Sequence, residues 1–114
     1  MFRLKDLPKV YVEQLANKNQ FAIVYEDETK GQRYHCFQSY KSLIAVYDKI
    51  TGNLFVNWDK WDYSKTTLKH FKMFINEWTS YHYETKQQWL CEMQNNWHIE
   101  TFKEWQRTKK KSTL

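Results

Sequence analysis

Residues that break regular structure are confined to the first half of this chain, and that asymmetry constrains the fold more than any other feature. Only three of the 114 residues are glycine or proline: Pro8, Gly31 and Gly52. These residues punctuate turns and stop helices, and neither type occurs after Gly52. The sequence therefore predicts strands first and helices after, an α+β domain in which an antiparallel β-meander of three to five strands precedes two to three helices, one of them packed on the sheet.

Four segments read as strands. Residues 20–26 contain FAIVYE, rich in β-branched and aromatic side chains. The polar run Asp27-Glu28-Thr29-Lys30-Gly31 then turns the chain into a return strand at 33–39. Residues 43–48, LIAVYD, form the third, and the turn through Gly52 leads to the fourth at 54–58. Antiparallel hairpins in series leave one face for helices and one for water. Residues 9–17 read as a short helix offering Val10, Val12 and Leu15 inward.

The helical half opens on Asp62 or Ser64, either of which suits an N-cap because its oxygen accepts from a free backbone N–H. A helix over 65–78 has Leu68, Phe71, Phe74, Ile75 and Trp78 on one face at helical spacing. Lys65, Lys69, Lys72 and Asn76 fall on the other. A second helix is predicted over 84–94, with Trp89, Leu90, Met93 and Trp97 as its apolar stripe, and a third over 99–109, with Ile99, Phe102 and Trp105. Residues 110–114 read as a basic tail. The whole chain, 1–114, is expected to form a single domain, with 81–109 as a helical extension.

Composition narrows the function classes. The net charge is +5, and the excess is spread over both halves. No apolar run approaches the roughly 18 residues of a membrane span, so no membrane association is expected. Cys36 and Cys91 form no disulfide pattern, which points to a reducing cytoplasm. Aromatic residues make up 18% of the chain; large rings build a small core efficiently and also anchor binding surfaces.

Chemistry-bearing patterns are sparse. His35, His70, His82 and His98 include no pair three or four residues apart. His35 and Cys36 are neighbours on a strand and point to opposite faces, and Cys91 and His98 are about 10 Å apart along a helix. No metal site and no cofactor is expected. Asp59 and Asp62 sit among Trp58, Trp61 and Tyr63, but a cap and a solvated carboxylate explain them. Ser64 and His70 are about 9 Å apart by helical rise, too far for a nucleophile and its base.

The stretch SYKSLIAVYDKITGNLFVNWDKWDYSKTTLKHFKMFI, with its glycine hairpin and the pattern W-D-Y-S-x-T-T-x-K-H-x-x-x-F, resembles a family of small uncharacterised proteins from phages and plasmids of Gram-positive bacteria. The pattern falls on Trp61, Asp62, Tyr63, Ser64, Thr66, Thr67, Lys69, His70 and Phe74. The likeness covers residues 20–78 and implies a mobile-element setting and a meander-plus-helix unit, not a reaction.

These observations favour a non-enzymatic binding protein. The expected site is the row Lys65, Lys69 and Lys72, with Lys60, Trp61 and Tyr63 beside it. Its spacing of four then three aligns the ammonium groups over two helical turns, although a charged helix face is commonly just solvated. The expected partner is a host protein, for example a component of a CRISPR or other defence system, bound stoichiometrically. The alternative is a nucleic acid held by the basic face and exposed aromatics. Self-association to cover tryptophans is a third expectation, and Tyr81, Tyr83, Trp89, Trp97 and Trp105 offer a second place for a site.

Overall fold

The computed structural model describes residues 7–102. Its elements, in chain order, are strands β1 (Lys9–Gln14), β2 (Gln20–Asp27), β3 (Gln32–Ser39), β4 (Ser42–Asp48) and β5 (Leu54–Asn57), helices α1 (Lys65–Trp78) and α2 (Lys86–Asn95), and strand β6 (Ile99–Phe102). They form one six-stranded sheet in sequence order. Neighbouring strands are antiparallel except β5 and β6, which are parallel and are joined through the two helices, the kind of long crossover a parallel pair needs.

The expected α+β meander is present, with two additions. Residues 9–14 form β1, not part of a helix: Val10, Tyr11 and Val12 are strong strand formers and pair with Tyr25, Val24 and Ile23. Val10 and Val12 are exposed rather than inward, and of the three apolar residues expected inside only Leu15 packs partly on the core. Ile99 begins β6 rather than a third helix. Asn96 caps α2, its N–H donating to the Glu92 carbonyl, and Ile99 then pairs with Leu54. Residues 103–109 of that expected helix, Trp105 and the basic tail lie outside the described residues. The sheet thus has six strands rather than three to five.

Local chemistry sets each turn. Asp27 accepts from the Thr29 hydroxyl at 2.6 Å and the Lys30 N–H at 3.3 Å, and Gly31 supplies φ +64°. Asp48 accepts from the Ile50 and Thr51 N–H groups, with Gly52 at φ +79°. Between β3 and β4 no glycine is present, and Tyr40 takes φ +56°, its carbonyl held by the Gln38 amide at 2.8 Å.

The two sheet faces are unequal. Phe37 pairs with Ala45 and Gln38 with Leu43, leaving Ile44 unpaired in a bulge. A bulge breaks the alternation of faces, and both Ile44 and Ala45 are fully buried. They join Ala22, Phe37, Tyr47, Leu54, Val56 and Ile99 under the helices. From α1 come Phe71, Phe74 and Ile75, and from α2 Trp89 and Met93. Thr67 and His70 are buried too, while Leu68 and Trp78 are only partly so; the packed stripe is rotated towards the Thr67 side of the expected one. Phe71 is the hub of the aromatic core, with ring centroids 5.5 Å from Trp61, 5.6 Å from Trp89 and 6.4 Å from Tyr83.

The other face carries Val10 and Val12 of β1, Phe21, Ile23 and Tyr25 of β2, Tyr34 and Cys36 of β3, and Val46 of β4, as the strand registers require. No described helix lies on it.

Candidate functional site

Ser64, not Asp62, caps α1: its hydroxyl accepts from the Thr67 N–H at 3.1 Å. That cap fixes where the helix starts and hence which way its lysines point. Lys65 and Lys69 are exposed and Lys72 is half-buried along one edge of α1. All three border a groove of about 500 Å³ whose far side is built by residues 83–86. Leu68, Met73 and Tyr83 supply its apolar lining, and Lys86 adds a fourth ammonium.

The far wall is fastened to α1 by polar contacts. The Asn76 amide spans the gap, donating to the Tyr83 carbonyl at 3.1 Å and accepting from the Tyr83 N–H at 3.0 Å. Lys72 donates to the Glu84 carbonyl at 2.7 Å. From the sheet side, Tyr47 donates to the Ser80 hydroxyl at 3.0 Å and Tyr81 to the Gly52 carbonyl at 2.7 Å. Tyr83 stacks on Trp89 at 5.0 Å, and burial pushes its phenol well above the usual range. A capping box then starts α2. Thr85 accepts from the Gln88 N–H, while the Gln88 side chain accepts from the Thr85 N–H.

The groove is electrostatically mixed. Four lysines line it against Glu77 and Glu84. Lys86 pairs with Asp62 at 2.9 Å, and Lys72 lies 3.8 Å from the Glu84 carboxylate. Among the described residues neither Lys65 nor Lys69 has an acidic partner within ion-pair distance. The groove thus presents two unneutralised cations beside an apolar floor.

The remaining expected site residues separate. Lys60 and Tyr63 sit together before α1, with the Lys60 ammonium 5.0 Å from the Tyr63 ring centre. Trp61, expected beside them at the surface, is 1% exposed and belongs to the core, covered by Phe71 and by the Lys86 ammonium 5.6 Å from its ring. Tyr83 and Trp89 are likewise buried, whereas Trp97 is 81% exposed. Asn76, expected with the lysines on the solvent face, is engaged with Tyr83. Lys86 was missed; the capping box in Thr85-Lys86-Gln87-Gln88 is the signal that starts α2 there and puts Lys86 in its first turn.

The other chemistry-bearing residues serve the fold. The Ser64 hydroxyl caps, and Asp62 faces Lys86. His35 donates to the Trp78 carbonyl at 2.8 Å and His70 to the Thr66 carbonyl at 2.8 Å. His98 lies 3.0 Å from the Asn53 side-chain oxygen. Among the described residues no three His, Cys, Asp or Glu side chains converge as a metal site would require, and no helix is long and apolar enough to cross a membrane.

A six-stranded sheet with two helices on one face, and a cationic groove beside the first helix, is the architecture these residues define. The chain belongs to a family of unknown function, DUF8033, whose model matches residues 10–92. The match runs from β1 into α2, so both walls of the groove lie within it. The segment from Tyr81 to Glu92, which falls outside the likeness noted over 20–78, is therefore family sequence. No curated protein and no solved structure matches the chain.

Proposed function

We propose that this chain is a non-enzymatic binding protein of a mobile genetic element, acting stoichiometrically on a host protein such as a CRISPR or other defence component. In this proposal the groove beside α1 receives an acidic segment of that partner, with an apolar residue placed on the Leu68–Met73–Tyr83 floor. The observation that carries it is the pair Lys65 and Lys69, exposed and without acidic partners among the described residues, at the rim of that floor. The mobile-element setting rests on the likeness over residues 20–78, and the host target on that likeness together with the sparse chemistry-bearing patterns and the surplus of aromatics.

The apolar floor favours a protein over a polyanion: Leu68, Met73 and Tyr83 offer contact to an apolar side chain that a phosphate backbone lacks, and Lys72 and Lys86 are already engaged with Glu84 and Asp62. A nucleic acid is the second reading. Trp97, Trp58 and Tyr63 are exposed, the last beside Lys60, and such rings stack bases.

Capture of the partner from host lysate, with and without nuclease, tests both. Lys65→Glu with Lys69→Glu should abolish capture of a nuclease-resistant partner while leaving the fold intact, since surface changes rarely exceed about 0.5 kcal/mol. Capture lost on nuclease treatment, with affinity falling steeply with salt, would favour the nucleic-acid reading. Undiminished capture by the double variant would remove the groove from consideration.

A further inference from the structure

We infer that β1 is a self-association edge: it pairs antiparallel with β1 of a second copy about a two-fold axis at Tyr11, joining two six-stranded sheets into one. Among the described residues β1 ends the sheet, and all six of its residues are exposed. Val10, Tyr11 and Val12 are 55%, 57% and 59% exposed, so apolar side chains stand out on both faces of the strand. An unpaired strand edge is a template for another strand. The opposite edge, β6, has four residues, of which Ile99 is buried.

The occupant is fixed by the sequence of the strand itself. A two-fold axis perpendicular to the sheet keeps each side chain on its own face, so it must pass through a residue set opposite its own copy. Centring it on Lys9 or Glu13 sets like charges against each other. Centring it on Val10 puts Lys9 opposite Tyr11, and centring it on Val12 puts Tyr11 opposite Glu13. Only the axis at Tyr11 matches every pair within residues 9–13, with Gln14 falling opposite Pro8 at the strand's end. Lys9 then faces Glu13 of the second copy, Val10 faces Val12, and Tyr11 faces Tyr11. Opposite charges and apolar pairs directly across two strands are the stabilising combinations.

Contacts among the described residues leave this edge available. Among them Lys9 is ion-paired to Glu28 at 3.9 Å, with both side chains more than 60% exposed. Val10 and Val12 lie beside Tyr25 and Ile23 on the face without a helix, so the joined sheets would share one continuous apolar surface. Two six-residue strands bury little area, and the association is accordingly weak and concentration-dependent.

Sedimentation equilibrium of the full chain over a wide concentration range tests this. A monomer–dimer equilibrium is expected. Lys9→Glu alone and Glu13→Lys alone should each weaken it about ten-fold, because each sets like charges across the axis twice. The double exchange, Lys9→Glu with Glu13→Lys, should restore it to within about three-fold. Tyr11→Cys, in a Cys91→Ser background, should form an intermolecular disulfide under mild oxidation. Opposed Cα atoms in an antiparallel pair are roughly 4.5–5.5 Å apart, within disulfide reach. Val10→Cys, which faces Val12 of the other copy, should form far less. A chain monomeric at every concentration overturns the inference. So does a dimer unmoved by the single charge reversals, or one in which the two cysteine variants cross-link equally.

Discussion

Replacing Asn76 by alanine should loosen the far wall of the groove from α1 and, through Tyr83, the edge of the aromatic core. Its amide makes two hydrogen bonds to one residue, to the Tyr83 carbonyl at 3.1 Å and from the Tyr83 N–H at 3.0 Å. Each such bond contributes about 0.5–1.5 kcal/mol net, and the two partly buried groups of Tyr83 would lose their partner, so the expected loss is about 2–3 kcal/mol. For a chain of this size that corresponds to a drop in melting temperature of roughly 8–12 °C. Urea denaturation measures the loss directly. Hydrogen exchange locates it: the Tyr83 amide should exchange much faster in the variant, while amides in the middle of α1 change only by the global amount. Partner capture should weaken as well, because the Tyr83 floor and Lys86 move with the wall. A loss below about 0.5 kcal/mol with Tyr83 protection unchanged would refute the clamp, since two real hydrogen bonds cannot vanish at so small a cost.

Phe71→Ala should cost about 3–5 kcal/mol, the range for a buried phenylalanine, because its ring touches Trp61 and Trp89 and is fully enclosed; an unchanged melt would misplace the α1 packing face. Thiol labelling at pH 8 should modify exposed Cys91 well before Cys36, whose thiol burial pushes up to about 11, leaving about one molecule in a thousand as thiolate; equal rates would contradict its half-buried place on the sheet. The carboxyl of Asp27 is held below the usual range, first by the Thr29 hydroxyl and also by the Lys30 N–H and the Tyr25 hydroxyl. Its stabilisation is full above the unfolded carboxylate pKa and is lost as pH falls through the lowered folded value, so Asp27→Asn should flatten the acid limb of the stability profile, and an identical limb in the variant would refute that role.

Much of the fold was legible because local chemistry and tertiary pairing agree. The Asp27–Gly31 and Asp48–Gly52 turns announce themselves, and Phe71, Phe74 and Ile75 mark the buried face of α1. Most misread segments are those where pairing partners decide. The exception is β1: Val10 and Val12 are two apart, which puts both on one face of a strand but on opposite sides of a helix, so the spacing already favours the strand that β2 then pairs. Ile99 and Phe102 are three apart, as in a helix, but the parallel slot beside β5 claims them. The bulge at Ile44 has no glycine to signal it. At the site, the row Lys65, Lys69 and Lys72 was visible in the spacing. That Lys72 and Asn76 are committed to the 83–84 backbone, that Trp61 is enclosed, and that Lys86 joins the row all follow from a long-range contact between α1 and the start of α2, which no periodicity encodes.

The most direct test of the groove as the binding site is a pair of amide-shift titrations on labelled protein, one with an acidic leucine-containing peptide and one with a single-stranded oligonucleotide. A peptide-binding groove predicts saturable shifts from the peptide centred on Lys65, Leu68, Lys69, Met73, Tyr83 and Lys86, abolished by Lys65→Glu with Lys69→Glu. Shifts from the oligonucleotide alone, centred on Trp58, Tyr63 and Trp97 and indifferent to that double change, would contradict it.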